Sequence, residues 1–139
     1  MTDLTDHGPK PYVLNIEDTT LQNPNFRSTL WTGKLLQLTV MAIPVGGDIG
    51  LEIHPTHDQF LRIEQGEGRV EMGPEKTVVT FKEKVGPSSG VFVPCGTWHN
   101  VINTGDVELK LYTLYGPADH KAGTIHKTQH DAQIDPNEH

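Results

Sequence analysis

Residues 46–66 of the chain read GGDIGLEIHPTHDQFLRIEQG, and residues 94–103 read PCGTWHNVIN. In both segments, side chains with nitrogen or oxygen donors stand between the glycines and prolines that form turns. Successive side chains of a β-strand point to opposite faces, so alternation places Glu52 and His54 together on one face. His99 begins a second short alternating run. The sequence therefore predicts imidazole and carboxylate groups projecting from short strands.

The run Gln59–Glu64 shows which face of its strand is buried. Leu61 and Ile63 alternate with charged side chains, so the aliphatic face is expected to point into the protein. Gln59 shares that face with the two aliphatic residues. Because a buried amide without a hydrogen-bond partner costs free energy, we expect Gln59 to contact a polar neighbour or a ligand.

Short alternating runs continue along most of the chain, separated by turns that draw on its 14 Gly and 10 Pro. Many short strands at this spacing are typical of a β-sandwich or barrel, so we predict an all-β fold. The predicted strands are Tyr12–Ile16, Phe26–Trp31, Leu35–Ile43, Ile49–His54, Gln59–Glu64, Arg69–Met72, Thr77–Phe81, Val91–Val93, His99–Asn103 and Glu108–Tyr115.

Charge and composition exclude several classes of protein. The 18 Asp and Glu residues outnumber the 11 Lys and Arg residues, which argues against a nucleic-acid or anionic-membrane partner. No apolar run approaches the roughly 20 residues that a membrane-spanning helix needs. The first residues have neither a basic nor an apolar leader, and the single Cys fits a reducing compartment. We therefore expect a cytoplasmic protein.

The chain is expected to form one domain with three parts. Residues 1–25 are predicted to form an N-terminal arm, loose over residues 1–10, and the first strand. Residues 26–116 are predicted to form the barrel. Residues 117–139 form a C-terminal segment that is expected to cover the barrel mouth or to end in a short helix. Thr128-Gln129-His130-Asp131 has the form of a helix start, and a disordered end is the alternative.

The two segments resemble the motifs of the cupin superfamily, which read G-x5-H-x-H-x3/4-E-x6-G and G-x5-P-x-G-x2-H-x3-N. The chain departs from the pattern at three positions: Glu52 replaces the first His, Gln59 replaces the Glu, and Ser88 replaces the opening Gly of the second motif. The resemblance implies a double-stranded β-helix, the jelly-roll barrel of the cupins. The matching segments are Gly46-x5-Glu52-x-His54-x4-Gln59-x6-Gly66 and Pro94-x-Gly96-x2-His99-x3-Asn103.

The resemblance also implies a metal site made by Glu52, His54, Gln59 and His99. The carboxylate has moved from the end of the first motif to its start, so two imidazoles and one carboxylate remain. Such a set with open coordination positions suits a divalent first-row metal, here Fe, Mn, Ni or Zn. The fourth donor is either Gln59 or, after a local shift of the chain, His57.

Two groups of histidines outside this set also have predicted roles. His57 is expected at the rim of the site, where an imidazole suits acid–base chemistry, so His57 and Glu52 are the catalytic candidates. A solvent-exposed His57 without a role is the alternative. In the C-terminal segment, His126 and Lys127 either contact an anionic substrate or lie on a solvated surface tail, and His120 is expected near the mouth. No specific role is expected for the terminal His7 and His139.

Cupins have many functions, so the resemblance leaves the reaction open. Small single-domain cupins of this kind are commonly grouped as mannose-6-phosphate-isomerase-like. We predict a metal-dependent enzyme that acts on a small organic substrate inside the barrel, as a sugar or sugar-phosphate isomerase or epimerase, or as a dioxygenase. The alternative is a binding module for a carbohydrate or an acid, with a structural metal or none. The resemblance also implies a homodimer, with Phe60, Trp31 and the N-terminal strand as candidate contacts.

Overall fold

The computed structural model describes residues 2–138, and these residues form strands with a few short helices. His139, for which no specific role is expected, lies outside the described residues. The helices are α1 (Ile16–Gln22), α2 (Gln129–Ile134) and a 3₁₀ turn (Pro136–Glu138). The strands are β1 (Arg27–Thr32), β2 (Gln37–Ile43), β3 (Asp58–Gln65), β4 (Gly68–Gly73), β5 (Phe81–Val85), β6 (Gly90–Val93), β7 (Trp98–Asn103), β8 (Leu109–Gly116) and β9 (Ile125–His126).

The strands pair into two antiparallel sheets, one of six strands in the order β6-β3-β8-β2-β1-β9 and one of three in the order β5-β4-β7. Along β3, buried side chains alternate with partly exposed ones, and Gln59, Leu61 and Ile63 are on the buried face. This confirms the predicted orientation of that strand. The all-β jelly-roll fold is confirmed as well.

The interior of the barrel is apolar over one part and polar over another. The apolar part includes Leu61, Ile63 and Leu111, which belong to one buried cluster between the sheets. Thr39 of β2 and Thr113 of β8 are direct partners, and Thr113 is also the partner of Leu61 in β3. Because partners on neighbouring strands project from the same face, both threonines face the interior. The polar part therefore begins beside Leu61.

The N-terminal residues pack on the outside of the large sheet. Leu4, Leu14 and Ile16 contact a buried cluster of Leu30 and Val40. Every residue of β2 is buried, because this packing covers its outer face and the barrel covers its inner face. The expectation of a loose arm was therefore wrong: the arm buries apolar side chains, which offsets part of the cost of ordering it.

The predicted strand Tyr12–Ile16 is absent, and helix α1 begins where it was expected to end. The side chain of Asn15 accepts a hydrogen bond from the backbone N–H of Asp18 and caps the helix. Glu17 and Asp18 lie in the first turn, where their negative charges interact favourably with the positive end of the helix dipole. Apolar residues before the cap produced the alternation that was read as a strand.

Two other predicted strands differ from the structure. Ile49–His54 makes one isolated bridge in place of a ladder, between Glu52 and His99, and the preceding residue Asp48 makes another with Ile102. Gly50 has a φ of 94°, which breaks the extended conformation there. The strand predicted at Thr77–Phe81 is β5, which starts at Phe81 and reads FKEKV. Both faces of this strand are largely exposed, so its three consecutive charged residues produce no apolar alternation. The sequence therefore did not predict a strand there.

Ser88 occupies the position at which the family pattern has glycine. Its φ is 72°, in the left-handed region that glycine adopts without strain. The backbone N–H of Ser88 donates to the carbonyl of Ile63 at 2.8 Å and helps to hold this conformation. The departure from the motif therefore changes the side chain and leaves the turn in place.

The C-terminal segment is ordered against the barrel and contains the short helix. Thr128 and Asp131 form a reciprocal capping box at the start of α2, as the Thr-x-x-Asp pattern indicates. Strand β9 pairs with β1, and the Gln37 amide bonds the backbone of His120.

Asp6 joins three separate parts of the chain, and we expect its removal to destabilise the fold. Its carboxylate accepts hydrogen bonds from the backbone N–H groups of Gly8, Thr32 and Gly123 and from the Thr32 hydroxyl. Burial opposes ionisation, but these hydrogen bonds outweigh it and hold the pKa of Asp6 below its ordinary value of 3.8. Asp6→Asn should lower the free energy of unfolding by about 1–3 kcal/mol at neutral pH.

The pH dependence follows from the direction of that shift. The contribution of the ionised carboxylate is complete above the unfolded-state pKa and is lost as the pH falls through the folded-state pKa. Urea unfolding at neutral pH and at about pH 3 should therefore show the difference between wild type and Asp6→Asn shrinking in acid. Asp106→Asn, a change at an exposed loop residue, is the control. An equal effect of the two substitutions would contradict the assignment.

Candidate metal centre

Backbone pairing brings the two sequence motifs together. Glu52 and His99 exchange both of their backbone hydrogen bonds, at 3.0 and 2.9 Å. The backbone N–H of Gly96 donates to the carbonyl of His54 at 2.8 Å, so the turn before β7 holds the first motif as well. The irregular segment 48–57 is thus fixed against β7. This attachment replaces the regular strand that the alternation predicted.

The side chains of Glu52, His54 and His99 converge on one point inside the barrel. Each offers one donor atom, and these atoms lie within 4.8 Å of one another. Oε1 of Glu52 is 3.3 Å from Nε2 of His54 and 3.5 Å from Nε2 of His99. The His99 side chain is 1% exposed and the His54 side chain 8%, whereas that of Glu52 is 30% exposed. The carboxylate therefore lies on the open side of the cluster.

Hydrogen bonds to the far side of each imidazole orient its free nitrogen toward the centre. Nδ1 of His99 lies 3.0 Å from the carbonyl oxygen of Thr97, which can only accept, so Nδ1 carries the proton. Nδ1 of His54 donates in the same way to Asp119, at 3.2 Å. Both Nε2 atoms are buried and make no hydrogen bond within residues 2–138. Such an arrangement is typical of metal-ligating histidines, so these donors fit a metal ion.

The charges in the cluster are strongly coupled. Burial opposes ionisation of Glu52, but the favourable interactions of its carboxylate with the adjacent His54 and His99 imidazoles outweigh it and hold the pKa of Glu52 well below its usual range. Burial likewise opposes a charge on His54, and its contacts with Asp119 and Glu52 outweigh that effect and raise the pKa of His54 to about 9. The arrangement favours positive charge at its centre. A divalent cation would supply that charge in place of the proton.

Gln59 projects into the barrel beside this cluster. Its Nε2 donates to the hydroxyl of Thr113 at 3.0 Å, while its Oε1 is buried and lacks a hydrogen-bond partner in the part of the chain described. The amide is therefore held with its acceptor oxygen available. Its assignment as the fourth donor stays a prediction, as does the alternative with His57.

Asp119 is a site residue that the sequence did not identify. Its Oδ1 lies 3.2 Å from Nδ1 of His54 and 3.1 Å from Nε2 of His57, and Oδ2 lies 3.4 Å from Nε2 of His120. Burial opposes its charge, but hydrogen bonding by His54 and the neighbouring charges outweigh this and lower the pKa of Asp119. The carboxylate comes from the C-terminal segment, where the Asp119-His120 pair next to a turn was the available signal.

His57 does not join the three-donor cluster. Its Nε2 contacts Asp119, its Nδ1 lies 2.8 Å from the hydroxyl of Thr56, and its side chain is 15% exposed. The ring stacks against His54 at 5.7 Å between centroids. This position at the edge of the site agrees with the expectation for a rim residue. Its role in acid–base chemistry stays a prediction.

His120 and His126 of the C-terminal segment are buried and hydrogen-bonded. His120 contacts Glu138 at 2.8 Å and the hydroxyl of Tyr115 at 3.2 Å. His126 contacts Arg27 through Nδ1 at 3.1 Å and Asp135 through Nε2 at 2.9 Å. Contact of His126 with a substrate stays a prediction, although both of its ring nitrogens have protein partners.

Lys127 is exposed. The Lys127 carbonyl accepts from the backbone N–H of Phe26, which fixes the backbone at this point. The contact of Lys127 with a substrate stays a prediction.

No helix within residues 2–138 is long and apolar enough to span a membrane.

The structure is a jelly-roll barrel with two histidines and one carboxylate clustered in its interior. It therefore falls in the class of small β-barrel proteins with an interior site suited to metal. Residues 39–115 match the Cupin domain family. The chain belongs to this family. The residues that carry the resemblance in the sequence are those that the fold brings together.

The chain is similar to two proteins in sequence and to one crystal structure in both sequence and fold. The chain is 57% identical over 129 residues to the uncharacterised protein YrkC of Bacillus subtilis (strain 168), covering 93% of this chain and 69% of the relative. It is 40% identical over 115 residues to the uncharacterised protein L612 of Acanthamoeba polyphaga mimivirus, covering 82% and 70%. The crystal structure of BH2720 from Bacillus halodurans superposes with a TM-score of 0.93 at 53% identity, covering 94% of this chain and 99% of that one.

Proposed function

We propose that the protein is a metal-dependent enzyme that acts on a small organic substrate at the barrel interior. The observation that carries the proposal is the pair of buried Nε2 atoms on His54 and His99, which face the Glu52 carboxylate. Burying a polar atom without a hydrogen-bond partner costs free energy. Two adjacent imidazoles in this state therefore indicate that the site binds a further group.

In this proposal, Glu52, His54 and His99 hold a divalent first-row metal, with Gln59 as a fourth donor. When bound, the metal supplies Lewis-acid polarisation of a substrate oxygen, or redox chemistry if the ion is Fe or Mn. Thr97 and Asp119 keep the two imidazoles in the tautomer that directs Nε2 inward. The interior also presents the hydroxyl of Thr39, which has no hydrogen-bond partner within residues 2–138, to a polar substrate.

His57 is the group proposed to move protons. It lies outside the donor cluster, is oriented by Asp119 and Thr56, and is partly exposed, so it can exchange protons with solvent. General acid–base chemistry of this kind is what a sugar or sugar-phosphate isomerase or epimerase needs. A dioxygenase depends on the metal instead. The barrel geometry is compatible with both reaction classes.

Metal analysis tests the proposal. Protein purified without a His tag should contain a first-row metal at a fixed ratio by plasma mass spectrometry. After chelation it should rebind Fe(II), Mn(II), Ni(II) or Zn(II) at one site. Absence of metal together with failure to rebind would contradict the proposal. Turnover of sugars, sugar phosphates or keto acids by the reloaded protein would then distinguish an enzyme from a binding module.

A homodimer and a cytoplasmic location are part of the same proposal. Phe60, one of the predicted contacts, packs against Phe92, whose side chain is 76% exposed on strand β6. Trp31, a second predicted contact beside Phe60 and the N-terminal strand, instead contacts the N-terminal arm and donates to the carbonyl of Lys10. Light scattering of the purified protein measures the oligomeric state directly.

A further inference from the structure

An open cleft in the protein surface has Glu52 among its lining residues. It has a volume of about 420 Å³ and lies between the segment that carries Glu52 and helix α2. Gly50, Leu51 and Gln129 contribute to its walls, and Arg27 and Glu138 also line it. This size suits a small organic ligand. A ligand in the cleft would reach the open side of the donor cluster.

Arg27 is the one cationic side chain among the described residues that line this cleft. It is 4% exposed, and burying a guanidinium is costly unless its N–H groups are paired. Yet Nε of Arg27 is buried with no hydrogen-bond partner anywhere in residues 2–138. An arginine normally offers such groups as a fork to a carboxylate or a phosphate.

The partners that Arg27 has are weak or neutral. One terminal nitrogen, Nη1, makes both contacts, at 3.3 Å to the Glu138 carboxylate and at 3.1 Å to Nδ1 of His126. A charge-assisted hydrogen bond of good geometry is about 2.7–2.9 Å long, so the contact with Glu138 is a long one. His126 is in turn held by Asp135, which positions its ring. The guanidinium is thus held in place, but not all of its N–H groups have hydrogen-bond partners within residues 2–138.

We propose that Arg27 binds the anionic group, a carboxylate or a phosphate, of a small substrate in this cleft, displacing the carboxylate of Glu138. The inference rests on the proposed function and adds the chemical class of the substrate. An acid bound here would carry its anionic end on Arg27 and direct its other end toward Glu52 and the metal. Glu138 takes the place of that anionic group in the structure.

The test compares charged and neutral ligands of matched shape. Lactate against lactamide probes a carboxylate, and glycerol 3-phosphate against glycerol probes a phosphate. Calorimetric titration of the metal-loaded protein should show binding of at least one anion and a loss of about 10-fold or more with its neutral analogue. The arm that binds identifies the source of the charge.

Three variants make the assignment specific. Arg27→Gln should weaken anion binding by about 10-fold or more, and Glu138→Gln should strengthen it, because the competing carboxylate is gone. These opposite signs would not arise from a general loss of structure. The double variant Arg27→Gln/Glu138→Gln removes both charges, so it controls for the instability that a single unpaired charge brings. Thermal unfolding of each variant verifies the fold.

Metal content is measured in every sample. Metal-loaded protein that binds no anion, or whose anion affinity is the same in Arg27→Gln, overturns the anion site and leaves the metal-dependent function standing. Wild-type protein that binds no metal overturns the proposed function instead. Tighter anion binding in Glu138→Gln with weaker binding in Arg27→Gln supports the proposal.

Discussion

Replacing His99 by alanine is expected to lower the affinity of the protein for a divalent metal by at least about 100-fold. Losing an outer-shell partner of a metal ligand already costs about 10–100-fold, and His99 is placed to be a ligand itself. Its side chain is 1% exposed, its Nδ1 proton is committed to Thr97, and its Nε2 is aimed at Glu52. Competition with a chromophoric chelator measures the affinity.

Because His99 is fully buried, the alanine variant also leaves a cavity. His99→Gln keeps much of the volume and a hydrogen-bonding side chain, so it separates loss of the imidazole from loss of packing. His130→Ala, at an exposed histidine of α2, is the matched control and should keep full affinity. Metal binding that survives both changes at His99 would place the metal elsewhere in the protein.

Replacing Asp119 by asparagine is expected to weaken metal binding by about 10–100-fold. The carboxylate holds the proton on Nδ1 of His54 and thereby directs the lone pair of Nε2 toward the donor cluster. An amide of the same size loses the charge and can present its N–H₂ group to the ring. His54 would then populate the wrong tautomer. The binding assay used for His99 measures the effect.

Asp135→Asn is the matched control for Asp119→Asn. Asp135 also accepts a hydrogen bond from a histidine, Nε2 of His126, but that ring is outside the donor cluster. Nitrogen NMR of the imidazoles at a pH above the raised pKa of His54, where its ring is neutral, supplies a second measurement, because only Asp119→Asn should change the tautomer of His54. Equal effects of both substitutions on metal affinity would show that Asp119 acts through general stability.

The jelly-roll fold and the donor cluster could be predicted because both depend on short-range patterns. Period-two alternation assigns Glu52 and His54 to one face, and it assigns Gln59 to the buried face of β3. The glycine-bounded spacing then matches a known family. Family membership and the fold were both confirmed. The grouping of Glu52 with the two histidines was reproduced by the structure.

Local patterns gave wrong predictions where a segment that is not a strand alternates like one. Tyr12–Ile16 alternates like a strand, but the capping side chain of Asn15 starts a helix at Ile16. Ile49–His54 has the alternation of a strand without its ladder, because Gly50 turns the backbone. Strand β5 was displaced in the prediction, because an exposed strand has no buried face to produce an apolar pattern.

From the sequence alone, alternation and turn residues predicted a β-sandwich or barrel, and the resemblance to the cupin motifs implied the donors Glu52, His54 and His99, because these patterns act over a few neighbouring positions. Only the tertiary structure decided that Asp119 orients His54 and that Arg27 lies in the cleft beside Glu52. These contacts join β1, the first motif and the C-terminal segment, which are far apart in the chain. Their proximity depends on which strands pair and on how the last segment packs across the barrel, and no local pattern encodes that.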